Sequence, residues 1–576
     1  MTSTPHPFFT ADDRELLARP GTHLSRTARQ AALAARWFAT SLAPVRQGLA
    51  DHWPQAVHAV LRAAGDSATA ASSTLAYGVD HPSATLAVPD KGDRRFRDEA
   101  WRTHRYFHLL QQLYLLGDRL AHDLVDVANL SGRERHRAHL AVQFLMEALS
   151  PTNTVPGNPE VLRQAVRSRG ASLVRGVRTA LADLAHHHGR PRQVEPSAFT
   201  VGRDLATTPG RVVLRTPLME LIQYQPQTPT VHAVPLVISP PWINKYYVLD
   251  LAPGRSLVEW AVRNGHTVFC PSYRNPDRDL GRVTLGDFMC EGLLTACRVT
   301  QEITGSPQVN LLGVCNGGTL AVMLQAWLAA GKDDTIRSTT LLNTYIDFAD
   351  KGVWGALCDE ATIADAERLT GERGRIDGHA LALLFDLLRG KDLFWHHFVR
   401  TWLMGERPPA FDLLSWNNDV TDIPADAHHE YVHDLFLGNK LAAGTLTTEG
   451  RLLRLDHCHE DVFVVAAQND HLVPWWSAYQ GARRLAGDVR FILSSGGHVA
   501  GVVNPPCPKA AHWSLPGPLP SDSDQWLASA RHHRLSWWQA WADWLAERSG
   551  DRISPPPMGN DRYPAGDPAP GRYARR

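Results

Sequence analysis

Three side chains able to form a covalent bond or move a proton stand just past the ends of three apolar runs. Cys315 sits in Gly313-Val314-Cys315-Asn316-Gly317-Gly318, Asp470 follows Gln468-Asn469, and His498 follows Ser494-Ser495-Gly496-Gly497. Glycines two residues before and two after Cys315 let the backbone turn tightly without Cβ clashes. The residues beyond, 319–328, carry a helical pattern closed by Gly331. A nucleophile on such a turn lies at a helix N-terminus, where the dipole and free N–H groups favour negative charge. A free thiol with a pKa of about 8.5 is only a few per cent thiolate at neutral pH, so an imidazole must take its proton. A thiol here suits acyl transfer from thioesters. One thioester replaces another at nearly equal energy, and the acyl group stays activated. The alternative reading of the same stretch is a small buried cysteine in an ordinary strand-to-helix turn.

The elements that must position these groups follow from the apolar pattern. Runs at 234–238, 267–269, 309–312, 339–342, 462–467 and 491–493 alternate with helical stretches, which implies βαβ units and a mostly parallel sheet. Runs 212–214 and 218–224 resemble an antiparallel hairpin ahead of them. Asp470 and His498 then lie beyond the C-terminal ends of two late strands, the edge at which open α/β sheets bind ligands. Strand, Gly-x-nucleophile-x-Gly and helix, with the order Cys315…Asp470…His498, is the pattern of the α/β-hydrolase fold. The expected class is therefore α/β: an α/β-hydrolase fold with a mostly parallel sheet, an inserted cap subdomain and an all-α N-terminal domain.

The expected organisation has five parts. Residues 1–88 form a poorly defined segment with a helix near 25–42. Residues 89–205 form a helical domain, in which Tyr106, Leu109, Leu110 and Leu113 share one helical face. Residues 206–553 form the catalytic domain, with a cap insertion at about 347–456, a gap too long for a loop. Residues 554–576 form an irregular tail rich in Pro and Gly. Helical patterns at 380–388 and 393–404 fall inside the cap, and its Phe394, Trp395, Trp402 and Trp416 either exclude water from the site or form the cap's own core.

Composition narrows the function classes. The chain has 576 residues, 44% hydrophobic and 20% charged, with 59 basic and 59 acidic side chains. This balance fits a soluble globular enzyme and gives no surface for nucleic acid. No apolar run reaches about 18 residues, so no transmembrane helix is expected. The start, Met1-Thr2-Ser3-Thr4-Pro5-His6-Pro7, lacks the basic region and apolar core of a signal peptide. Seven cysteines, with no Cys-x-x-Cys pair, point to a reducing cytosol. The 18 tryptophans read first as core packing. No cofactor and no metal are expected. His186-His187-His188 reads as the basic end of a helix. Asp456-His457-Cys458-His459-Glu460-Asp461 has ligand types without a second cluster at a recognised spacing.

Longer motifs carry a family resemblance over roughly residues 90–575. These are Asp93-Arg94-Arg95-Phe96 with Glu99-Ala100-Trp101, Ser239-Pro240-Pro241-Trp242-Ile243-Asn244-Lys245-Tyr246-Tyr247, Arg274-Asn275-Pro276, the Cys315 turn, Phe411-Asp412-Leu413-Leu414, Asp470-His471, and Gly497-His498-Val499-Ala500-Gly501. The chain resembles a polyhydroxyalkanoate synthase. Segments 150–154, 220–224 and 408–419 look more like the medium-chain type. Tyr273, where a Trp often stands, and Asp426-Ala427-His428-His429-Glu430 depart from the common pattern.

The resemblance implies polymerisation of (R)-3-hydroxyacyl-CoA into polyester with release of CoA, a growing polyester chain on the enzyme, a homodimer, granule-associated partner proteins, and a cytoplasmic location at the polymer granule surface. Cys315, Asp470 and His498 become the catalytic set. Asp470 either orients and charges the imidazole or assists deprotonation of the 3-hydroxyl directly. The N–H of Asn316 is the first oxyanion donor. The second comes from the loop at Trp242, Ile243 and Asn244, whose alternative role is a turn stiffened by Pro240-Pro241. The competing functions are a thioesterase or esterase with a Cys nucleophile, and an inactive granule-associated partner subunit.

Overall fold

The computed structural model describes residues 21–81, 85–195, 197–371 and 374–575; Met1 to Pro7, read above for a signal peptide, lies outside them. The described residues divide into two compact units. One runs up to Glu195 and includes Ala382–Ala410; the other holds the residues between these segments and Phe411 onward.

The first unit is helical. Its long elements are α1 (Gly21–Asp51), α2 (Trp53–Tyr77), α3 (Arg105–Val127), α4 (Gly132–Ala148) and α5 (Ala171–His186). Helix α1 outruns the expected 25–42, continuing past Pro44. The periodicity in α3 is real, but its face is misassigned. Tyr106 and Leu113 are exposed, whereas Phe107, Gln111, Gln112 and Leu116 are buried. The reason is tertiary: the Gln112 amide accepts from Leu86 and Ala87 N–H at 2.8 and 2.9 Å and donates to Ala87 O at 2.8 Å. That satisfies every buried polar atom the glutamine brings. His186 ends α5, as the basic run predicts. The segment Ala382–Ala410 is fastened within this unit by buried charge. Asp386 accepts from Arg190 at 2.7 Å and from Gln193 at 2.8 Å, and Trp402 Nε1 donates to Asp183 at 2.8 Å.

The second unit is built on ten strands: β1 (Gly210–Arg215), β2 (Met219–Tyr224), β3 (Leu236–Ser239), β4 (Val268–Tyr273), β5 (Val309–Val314), β6 (Ile336–Leu342), β7 (Asp461–Ala467), β8 (Val489–Ser494), β9 (His512–Ser514) and β10 (Arg531–His533). They form one sheet in the order β1-β2-β4-β3-β5-β6-β7-β8-β9-β10. From β4 to β8 every pairing is parallel, and the flanking hairpins are antiparallel. The expected hairpin and all six expected strands are present. β9 and the edge strand β10 carry His, Trp and Arg rather than an apolar run and have no such signature. β2, β4 and β5 are buried along their whole length, as strands covered on both faces must be.

The helices around the sheet include α6 (Asn316–Ala330) after β5, α7 (Glu360–Gly371), α8 (Ala425–Glu430) and α9 (Trp537–Ala546). Helix α8 runs on into a π-helical turn, Tyr431–Leu437. Helix α9 supplies Trp537, Trp538, Trp541 and Trp544 to the core beneath β5 to β8, so tryptophan serves packing here. The tail is irregular, as expected, yet docked: Glu220 Oε2 accepts from the N–H groups of Arg572 and Tyr573 at 2.7 and 2.9 Å. Among the described residues no helix is long and apolar enough to cross a membrane. All seven cysteines are free thiols.

Trp541 is 1% exposed and its indole N–H donates to Thr340 Oγ1 at 2.9 Å. Trp541→Ala removes both packing and that bond, at an expected cost of about 3–5 kcal/mol. The urea midpoint of the sheet unit measures it. A loss below about 1 kcal/mol would mean that α9 is not integral to this core.

Candidate active site

Strand β5 delivers Cys315 to the C-terminal edge of the sheet. The neighbouring order β4-β3-β5 reverses chain direction of travel there, so the ends of β3 and β5 flank a crevice. Cys315 adopts φ 52°, ψ −126°, a region that disfavours any residue with a Cβ. Its N–H is held by Leu342 O of β6 at 2.8 Å. Gly317 and Gly318 show why the turn needs glycine: a Cβ on the first would strike the carbonyl oxygens of Ser239 and Pro240, and on the second the Thr344 side chain. Ser239 Oγ donates to Gly317 O at 2.7 Å, tying the loop after β3 to the first turn of α6.

His498 and Asp470 reach Cys315 from β8 and β7. The turn after β7 is stitched to the turn after β8: Gln468 N–H donates to Ser494 O at 2.9 Å and Asn469 N–H to Gly496 O at 2.8 Å. Asp470 is fully buried at its side chain and His498 nearly so. One Asp470 oxygen accepts from the N–H groups of Leu472 and Val473 at 2.8 and 2.9 Å, and the other pairs with His498 Nδ1 at 2.7 Å. Asp470 thus engages Nδ1, and Cys315 lies within electrostatic reach of the imidazole. Burial alone would push the imidazole pKa down. The Asp470 carboxylate and the Cys315 sulfur outweigh it and hold the pKa well above its ordinary value. His498 and Asp470 are thus paired, with Cys315 within electrostatic reach of the ring.

The remaining expected residues have defined places. Asn316 is the first residue of α6, where backbone N–H groups have no intrahelical acceptor. Trp242 is buried, stacked on Phe288 at 5.3 Å and edge-on to Tyr431 at 5.8 Å. Ile243 packs on the same core, and Asn244 forms a backbone bridge to Val420. The Trp242 and Ile243 side chains are therefore engaged in packing. Trp416, expected over the site or in the cap core, is buried with its indole N–H on Lys245 O at 2.8 Å. Phe394, Trp395 and Trp402 belong to the helical unit.

Two residues went unread in the sequence. Asn343, at φ 47°, donates through Nδ2 to the His498 carbonyl and through its N–H to Val465 O at 2.8 Å. It braces the histidine turn against β7. Tyr345 is buried, its hydroxyl makes no hydrogen bond, and Cys315, Asp470 and Tyr431 all lie within electrostatic reach of it. Both residues follow the C-terminal end of β6, and position just past a strand of the parallel sheet is the signal that finds them. A cavity of about 1030 Å³ lies in the helical unit, and none of Cys315, Asp470 or His498 lines it.

The fold is that of the α/β hydrolases, with a cysteine on the tight turn between β5 and α6. A family model described as the poly-beta-hydroxybutyrate polymerase (PhaC) N-terminus matches residues 92–261, and one for the alpha/beta hydrolase fold matches residues 252–505. The chain is 40% identical to the poly(3-hydroxyalkanoate) polymerase of Methylorubrum extorquens over 85% of its own length and 82% of the relative's. It is 40% identical to the poly(3-hydroxyalkanoate) polymerase subunit PhaC of Cupriavidus necator over 84% and 83%. It is 38% identical to poly(3-hydroxyalkanoate) polymerase 2 of Ectopseudomonas oleovorans over 85% and 87%. The chain belongs to the poly(3-hydroxyalkanoate) polymerase family.

The folded pKa of His498 lies above the unfolded value near 6.5. Its ionic interactions therefore stabilise the fold fully below about pH 6.5 and are lost as the pH rises through the folded value. Asp470→Asn removes the carboxylate that favours the cation. The stability gap between wild type and variant, from denaturant titrations across pH, should be widest below about pH 6.5 and narrow above it. A gap that widens with rising pH would contradict a cation-stabilising carboxylate at this position.

Proposed function

We propose that this protein polymerises (R)-3-hydroxyacyl-CoA into polyester and releases CoA through an acyl thioester on Cys315. The observation that carries the reading is the His498–Asp470 pair, Nδ1 on the carboxylate at 2.7 Å and Cys315 within electrostatic reach, in a chain related over most of its length to poly(3-hydroxyalkanoate) polymerases. His498 takes the thiol proton, the Cys315 sulfur attacks the thioester carbonyl, and the C–S bond to CoA breaks as CoA leaves with a proton. The 3-hydroxyl of a second unit then loses its proton to a base and attacks the Cys315 thioester. An ester forms and the thiol is freed for the next acylation. A positioned base contributes about 10²–10⁴-fold to such a step. Asp470 acts through His498 or on the hydroxyl itself.

The oxyanion of each tetrahedral intermediate is met by the Asn316 N–H and by a backbone donor of the Trp242–Asn244 loop, where the Trp242 and Ile243 side chains are taken up in packing. Of the cap expected at about 347–456, the parts outside Ala382–Ala410 lie in the sheet unit, and they limit water's access to the acyl-enzyme. A homodimer at the surface of a cytoplasmic polymer granule, with granule-associated partners, completes the reading. Without a hydroxyl acceptor the same triad would hydrolyse the thioester, which is the competing function. The assay is CoA release from 3-hydroxyacyl-CoA with product analysis: insoluble polymer supports the synthase, free acid the thioesterase, and neither a non-catalytic subunit.

Cys315→Ala is expected to abolish CoA release with the fold retained, and Cys315→Ser to leave a trace. An alanine variant polymerising at a substantial rate would remove Cys315 from the mechanism. His498→Ala should block acyl labelling of Cys315, whereas Asp470→Asn should still acylate slowly while elongation fails. Intact-protein mass spectrometry separates the two, and full elongation by Asp470→Asn would refute its assignment.

Chain length is a separate expectation. The resemblance at 408–419 favours medium-length substrates, and each buried methylene contributes up to about 0.8 kcal/mol if the pocket accommodates it. kcat/KM should therefore rise from 3-hydroxybutyryl-CoA over the first few carbons and fall once the pocket is full. A maximum at the shortest substrate overturns the medium-chain reading and leaves the synthase reading intact.

A further inference from the structure

We propose that Glu367, His429 and His433 form a binding site for a divalent transition ion of the Zn²⁺ class, fastening α7 to the helix that begins as α8. The sequence alone gives no metal spacing, because the third ligand stands 62 residues from the nearest histidine. The fold assembles the set. His429 and His433 are one helical turn apart, their rings 4.2 Å centre to centre. Glu367 Oε1 lies 3.1 Å from His429 Nδ1 and 3.2 Å from His433 Nε2. The ligand atoms of all three residues fall within 4.8 Å of one another. An ion bonded at 2.0–2.1 Å in tetrahedral geometry requires ligand atoms about 3.3 Å apart. The two carboxylate-to-imidazole separations already meet that value.

The donor set selects the ion. Two imidazoles and a carboxylate suit Zn²⁺, Co²⁺ or Ni²⁺, whereas Ca²⁺ and Mg²⁺ take oxygen cages. His429 is 62% exposed at its side chain, which leaves the fourth position open to water. The segment carrying both histidines also bears on the crevice. Its opposite face packs Tyr431 against Trp242 and Phe348, buries Leu435 and Phe436, and brings Tyr431 within electrostatic reach of Cys315. An ion on the outer face therefore fixes the helix whose inner face borders the candidate nucleophile. The binding claim stands on the ligand geometry and does not rest on the polymerase reading.

The test titrates untagged, chelator-treated full-length protein with Co²⁺, followed by visible absorption, with Zn²⁺ as competitor. One Co²⁺ per chain is expected, with d–d bands, no thiolate charge-transfer band, and displacement by Zn²⁺. Outer-shell partners alone are worth about 10–100-fold in metal affinity. His429→Ala, His433→Ala and Glu367→Gln should each weaken binding by about 100-fold or more. Ion binding should also slow amide exchange in both α7 and Tyr431–Leu437 in the wild type but not in His429→Ala. Circular dichroism confirms that each variant is folded, and His429→Gln supplies a second variant if alanine disturbs the helix. Absence of stoichiometric binding, binding indifferent to the histidine variants, or a thiolate charge-transfer band would each overturn the site.

Discussion

A non-glycine residue held at positive φ between a buried strand and a buried helix is the constraint on which the rest of the site depends. Cys315 at φ 52°, ψ −126° occupies a conformation costing about 1–3 kcal/mol. Nothing local repays that cost. It is offset by what surrounds the turn: β5 buried along its whole length, α6 buried over most of its own, and the Cys315 N–H fixed to β6. Gly317 and Gly318 admit the Ser239–Pro240 carbonyls and the Thr344 side chain at distances no Cβ would allow. The loop after β3 is consequently pressed against the first turn of α6.

The electrostatics follow from the same burial. His498 has little water to stabilise its cation, and what favours that cation is the charge of Asp470 and Cys315 nearby. Asp470 is in turn fixed by two backbone N–H groups, which leaves a single oxygen and a single direction for the imidazole. A carboxylate so restrained sets the ring orientation and the tautomer together. The imidazole is thereby held from its Nδ1 side.

The sequence makes the sheet and the Cys315 turn legible for a physical reason. A strand buried on both faces must be an apolar run, and a nucleophile at positive φ must have glycines about it, so both leave marks that need no knowledge of tertiary contacts. What went unread depends on contacts between distant residues. Gln112 is buried only because Leu86 and Ala87 consume its amide, and this turned the expected apolar face of α3 outward. β9 and β10 pair through backbone groups while carrying His, Trp and Arg. Residues 382–410 read as part of a cap, yet their compact partners are the helices before residue 195, through Arg190, Gln193 and Asp183. Asn343 and Tyr345 carry no motif at all and matter only through what β6 places beside them.

The surroundings of Trp242 show how the fold turns ordinary helices toward the crevice. Its ring is packed by Phe288 and by Tyr431, and each of these begins a π-helical turn, Phe288–Leu294 and Tyr431–Leu437. A π-turn inserts a residue into the helical repeat, so side chains beyond it are rotated relative to a continuous α-helix. In the second helix His429 stands before the insertion and His433 within it. The same widening that directs Tyr431, Leu435 and Phe436 inward leaves the two imidazoles on the outer face, within reach of one carboxylate. The aromatic contact with the Trp242 loop and the polar cluster on the outer face thus lie on two sides of one helical segment.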